Sequence, residues 1–180
     1  MLSDMPSPRV VVVGSVNLDI VVPVPHHPMT GETVMGGDHA LVPGGKGANQ
    51  AVAASRQGAA VTFVGRVGSD DTGATLKASL EASGVDTSHL AVDAGAPSGI
   101  ALIGVNADGD NAIVVSPGAN AHVSSSDLDG ASAVLADAAV VLLQLEIPAE
   151  TVTNAALATG GTVVLNPAPA PSTPGALPVA

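Results

Sequence analysis

Four consecutive valines, Val10–Val13, sit inside the run Arg9–Ser15 (RVVVVGS) and are halted by Gly14 and Ser15. β-Branched side chains are crowded in a helix and fit well on a pleated strand. An unbroken apolar run places valine on both faces of that strand, so both faces need cover. The run therefore predicts a central strand of a mostly parallel sheet. Similar runs recur at Val61–Val67, Ala139–Leu145 and Thr162–Leu165. Helical patterns lie between them. Lys46–Gln57 is Ala-rich with Gly58 in the stop position, and Asp70–Ser83 places Leu76 and Leu80 four apart before Gly84. Ser124–Asp137 follows, then Pro148–Thr159 with proline at the first helical position and Gly160–Gly161 at its end. Strands alternating with helices give an α/β class with helices on both faces of the sheet.

Two segments break this rhythm. Ile20–Val42 has short β-like pieces among Pro, His and Gly. Gly99–Val115 sets IALIGV and NAIVVS around Asn106–Asn111 (NADGDN), a hairpin with its turn. Together they predict a small antiparallel sheet outside the main layer, built from two insertions. No internal repeat is found. The Pro-rich end Asn166–Ala180 reads either as a tail or as a chain that stops mid-course.

A chain of 180 residues suits one domain. With one Phe and no Trp or Tyr, its core is built from Val, Ala, Leu and Ile. Lys+Arg 5 against Asp+Glu 16 leaves a formal charge of -11. That balance offers no basic surface for nucleic acid and no Lys/Arg-rich helix for a membrane surface. The absence of cysteine excludes disulfides, thiolate metal sites and cysteine nucleophiles, and it fits a reducing cytoplasm. Met1–Val16 lacks a basic n-region and carries Asp4 and Arg9, which makes a poor secretory signal. No stretch reaches the ~20 apolar residues of a membrane span.

Several site types fail on spacing. Gly45-Lys46 is followed by Gly47 and position 40 is Ala40, so there is no P-loop; no Gly-x-Gly-x-x-Gly follows the first strand. None of the five histidines has a partner at metal-ligand spacing, and His26-His27 reads as a surface loop pair. In open α/β sheets, ligands bind beyond the carboxyl ends of the strands. There the first run leads to Asn17 and Asp19, the third to Glu146 and the fourth to Asn166. Each could simply cap a turn, but their placement at one sheet edge points to a common site. The sharpest local string is Gly44–Gln50 (GGKGANQ). Paired glycines let a backbone approach a ligand, and the following helix start carries free N–H groups. Lys46 and Asn49, three apart, share a helical face. This suits a polyhydroxylated or anionic small molecule; a Gly-rich turn before a packing helix is the plainer alternative.

The strings GSVNLD (14–19), TGET (30–33), GGKGANQAVA (44–53), GRVGSDDTG (65–73), GAN (118–120), QLE (144–146) and NPAPA (166–170), with Pro97–Val105, resemble the ribokinase family of carbohydrate kinases along almost the whole chain. GGKGANQ matches the family's first signature. QLE and NPAPA lean towards its ribose-phosphorylating members over fructokinases or adenosine kinases. The resemblance implies a three-layer α/β/α domain with a small β-sheet lid, formed by about 20–42 and 99–115 within residues 1–180. It implies ATP-dependent phosphorylation of a sugar, D-ribose giving ribose 5-phosphate, with Mg²⁺ and a monovalent cation as cofactors. It assigns sugar contacts to Asn17, Asp19, Gly45, Lys46, Asn49 and Glu146, and it implies a homodimer through the lid. The family's second signature, Gly-Ala-Gly-Asp, holds the general base and an anion hole; no such string occurs in these 180 residues. The expectation is a sugar-binding half without its C-terminal part, through truncation, frameshift or a split chain, and with no catalytic residue of its own. The alternatives are a non-catalytic sugar-binding or dimerisation module and another sugar kinase of the family.

Overall fold

A computed structural model describes residues 8–170. Of the two chain ends read from sequence, residues 1–7 and 171–180 lie outside the described residues. The valine run forms β1 (Arg9–Val13) at the centre of a five-stranded sheet. Its neighbours are β4 (Ala60–Gly68) on one side and β8 (Val140–Leu143) on the other. Outside them lie β5 (Val85–Asp93) and β9 (Thr162–Leu165), in the order β5-β4-β1-β8-β9. Every pair in this sheet is parallel.

The period-two alternation along β1 divides the core. Val10 and Val12 pack with Ala48 and Ala51 of α1 (Lys46–Arg56) and with Leu76 and Leu80 of α2 (Asp71–Ala82). Val11 and Val13 face the opposite layer. There they meet Leu128 of α3 (Ser125–Gly130), Leu135 of α4 (Ser132–Ala136), and Val152 and Ala155 of α5 (Ala149–Leu157). One strand thus needs helices on both sides, which makes the three layers expected from the sequence. Phe63, the sole aromatic side chain, is fully buried in the α1/α2 layer.

Three features depart from the sequence reading. β5 was not among the expected strands. Its sequence, VDTSHLAVD, alternates polar with apolar because it is an edge strand, and only Val85, Thr87 and Leu90 are buried. The single helix expected over Ser124–Asp137 is two short ones meeting at Ala131, the first closed by a Ser124/Asp127 capping box. The small sheet is mixed, not antiparallel. It contains β2 (Asn17–Pro23), β3 (Ala40–Gly44), β6 (Gly99–Val105) and β7 (Asn111–Ser116), in the order β3-β2-β6-β7. Each insertion leaves the carboxyl edge of the main sheet and folds back on itself antiparallel. The two outgoing strands, β2 and β6, pair with each other and run in the same direction.

The Pro-rich segment after β9 does not leave the domain at once. Asn166 N–H donates to Leu143 O at 2.9 Å, and Leu145 N–H donates to Ala168 O at 3.0 Å. Near the other end of the sheet's carboxyl edge, Arg66 at the end of β4 binds both carboxylate oxygens of Asp127. It also reaches Asp93 Oδ2 at 3.3 Å, and the same oxygen lies 2.9 Å from His122 Nδ1. These contacts fasten the 3₁₀ turn Gly118–His122 to the sheet.

Candidate functional site

Both sheets converge where β2 begins. Asn17 pairs with Gly44 on one side and with Gly99 on the other. The next residue after Gly44, Gly45, precedes α1 with φ 90, a conformation that a side chain rarely adopts. This turn drives the first residues of α1 against the β1–β2 junction. A Cβ on Gly47 would lie 2.7 Å from the backbone N and O of Ser15. Gly45 and Gly47 are thus explained by the close approach of two backbones, and Gly44 by the Asp19 carboxylate, which a Cβ there would overlap.

The amide groups at the start of α1, read from sequence as free donors, are occupied by the protein itself. Lys46 N–H donates to Glu146 Oε2 at 2.9 Å, Gly47 N–H to Ser15 Oγ at 3.3 Å, and Ala48 N–H to Ser15 O at 2.9 Å. Glu146, in the loop after β8, also takes the Lys46 ammonium on Oε1 at 2.9 Å and the Ser15 hydroxyl on Oε2 at 2.6 Å. A carboxylate at a helix N-terminus is favoured by the helix dipole. Burial pushes the Glu146 carboxyl up, but the hydrogen bonds from Ser15 and Lys46 and the lysine's charge outweigh it, and the group stays below its ordinary value. Asp19, half-buried on β2, moves the other way: burial first and the neighbouring Glu146 charge second raise its pKa, against Lys46.

All six residues expected from sequence line one cavity of about 110 Å³: Asn17, Asp19, Gly45, Lys46, Asn49 and Glu146. Ala101 and Ile103 of β6 and Ile113 and Val115 of β7 complete it. A broader groove of about 620 Å³ continues from it past Pro117, Ile147 and Pro169. Asn166, the remaining candidate from the strand ends, is exposed and does not line the cavity. Sequence reasoning missed Ser15 and Asn120. Asn120, buried in the 3₁₀ turn, donates from Nδ2 to Asn17 Oδ1 at 2.7 Å; its only signal was its place in the GAN string.

Two carboxylates and one ammonium make the cavity acidic on balance, which disfavours an anion. Amide and ammonium donors beside carboxylate acceptors suit a neutral polyol, since each hydroxyl both donates and accepts. The apolar β6 and β7 side chains give such a ligand one dry wall. Among the described residues, no group of three or more His, Asp or Glu is placed to hold a metal ion.

Residues 7–177 match the family described as pfkB family carbohydrate kinase. The chain is 42% identical over 162 residues to the ribokinase of Haemophilus influenzae, covering 88% of this chain and 53% of that protein. Among solved structures, ribokinase from Thermotoga maritima superposes with a TM-score of 0.82 at 36% identity, over 92% of this chain and 54% of that one. Ribokinase from Arabidopsis thaliana, complexed with ribose and ATP, superposes with a TM-score of 0.72 at 34% identity, over 89% and 53% of the two chains. The chain spans about half the length of the curated relatives it matches.

Proposed function

This chain belongs to the pfkB family of carbohydrate kinases, and from that premise we propose that it forms the sugar-binding part of an ATP-dependent ribose kinase, which converts D-ribose to ribose 5-phosphate. The observation that carries this reading is the convergence of Asn17, Asp19, Gly45, Lys46, Asn49 and Glu146 on one small cavity, from strands and a loop far apart in sequence. Asp19 accepts from sugar hydroxyls. Lys46 is held by Glu146, so its ammonium reaches the sugar as an oriented donor. The small sheet, with Ala101, Ile103, Ile113 and Val115 against the cavity, covers the sugar as a lid and excludes water.

ATP with Mg²⁺, and a monovalent cation, complete the proposed reaction. The start of α1 does not fit a phosphate group, because its amides are taken by Glu146 and Ser15, and among the described residues no group of three or more His, Asp or Glu is placed to hold a metal ion. The residues of this chain therefore bind and orient the sugar, and no phosphoryl-transfer step is assigned to them. Calorimetric titration with D-ribose, fructose and adenosine tests the reading. Selective binding of D-ribose is expected. A preference for fructose or adenosine would move the chain to another sugar specificity, and ADP release with D-ribose by this chain alone would overturn the assignment of sugar binding without phosphoryl transfer.

A second reading, a non-catalytic module that pairs through its lid, has its own observation. Leu102 and Val114, paired on the face of the small sheet opposite Ile103 and Ile113, expose 48% and 67% of their surface, and β7 is an open edge in the strand order. Such a surface suits a homodimer. Sedimentation velocity decides it: a strict monomer at all concentrations would remove lid pairing.

A further inference from the structure

Asn17 has its amide orientation dictated by a chain of bonds that starts from backbone. The Val16 N–H donates to Asn120 Oδ1 at 3.0 Å, and Asn120 Nδ2 donates to Val16 O at 3.1 Å. A peptide N–H can only donate and a peptide C=O can only accept. The Asn120 amide is therefore fixed in one of its two flips, with Nδ2 turned towards Asn17. The atom of Asn17 that meets it at 2.7 Å must be the oxygen. Asn17 Nδ2 has no acceptor among the described residues, and Asn17 lines the cavity. Both asparagines are almost fully buried, at 2% and 1% exposure. The relay has a slot made for it. Gly99 lies beside Asn17 in the ladder, and a Cβ there would overlap Asn17 Oδ1 and Asn120 Nδ2.

We infer that Asn120 is a positioning residue that makes the cavity present a hydrogen-bond donor at Asn17, so that the bound sugar must place an acceptor oxygen there. This rests on the sugar-binding reading for the identity of the ligand, but not for the relay itself. Asn120→Asp keeps the acceptor for Val16 N–H and removes both donors. Asn17 then turns its amide nitrogen to the new carboxylate and leaves its oxygen facing the cavity. Asn17→Asp produces the same reversal while leaving Asn120 bonded to Val16.

The test has a ligand-free arm and a ligand arm. In a ¹⁵N NMR experiment on the unliganded chain, the Asn120 side-chain amide protons should exchange slowly with water and those of Asn17 rapidly. The opposite pattern, or equal exchange at both, overturns the relay. By calorimetry, Asn17→Asp and Asn120→Asp should each weaken D-ribose binding by about tenfold or more, the order of one lost hydrogen bond. On an Asn17→Ala background, where the donor is already absent, Asn120→Ala should cost no further affinity, because both residues act on the same donor. Additive losses, or full affinity in Asn17→Asp, would overturn the inference. If the unmodified chain takes up no D-ribose, the sugar-binding reading fails, and the exchange pattern still decides the relay.

Discussion

Lys46 meets Glu146 twice, through its peptide N–H at 2.9 Å on Oε2 and through its ammonium at 2.9 Å on Oε1. One carboxylate thereby caps α1 and neutralises the lysine that projects from the helix. The loop after β8, the start of α1 and the β1–β2 turn, through Ser15, are joined at a single side chain.

Glu146→Gln should therefore cost stability as well as affinity. A hydrogen bond to a charged group contributes roughly 1.5–3 kcal/mol, and the amide cannot serve both the Ser15 hydroxyl and the two Lys46 donors as well. Because the folded Glu146 titrates below its ordinary 4.5, its contribution is complete above that pH and is lost as pH falls through the lower folded value. Urea unfolding from pH 7 down to pH 3 should show a steeper acid loss in the unmodified chain than in the variant. Parallel curves would mean that Glu146 contributes nothing through its charge.

Asp19→Asn should have the opposite balance. Burial and Glu146 raise the Asp19 pKa, so the ionised group opposes folding at neutral pH and the penalty disappears as pH falls through the raised value. The amide removes that penalty, and the melting temperature at pH 7 should hold or rise. D-ribose affinity should fall about 10- to 150-fold with the loss of a charged acceptor. Calorimetry and thermal melts on the same sample separate the two effects.

Gly44→Ala tests Asp19 without touching its charge. A Cβ on Gly44 would overlap the Asp19 carboxylate, which can swing aside because it is the end of a side chain. Ribose affinity should drop nearly as far as in Asp19→Asn, while the urea midpoint changes little. Unchanged affinity would show that the observed carboxylate position is not needed.

Phe63→Ala should be the most damaging single core change. Phe63 is fully buried among Val and Leu side chains, and such truncations cost about 3–5 kcal/mol. Phe63→Leu should recover most of that loss. Chemical denaturation of both variants measures the difference.

The layered fold could be read from the chain because its signals are local. Val10–Val13 alternate between two helical layers, and Gly58 and Gly84 follow α1 and α2 with φ 88 and 78, as stop residues do. The six cavity residues could be named because residue type and position at the strand ends limit what they can do, and because the family strings matched. β5 was hidden, since an edge strand with one wet face has no apolar run to find.

What only the tertiary structure decided depends on partners that sequence proximity cannot supply. The parallel pairing of β2 with β6 follows from two insertions leaving the same sheet edge in the same direction. The first N–H group of α1, that of Lys46, is filled by Glu146, 100 residues away. Asn17 is oriented by Asn120, 103 residues away. Periodicity and turn chemistry are carried by neighbours along the chain. The satisfaction of a buried polar group depends on which distant atom arrives within hydrogen-bonding range, and only the folded chain settles that.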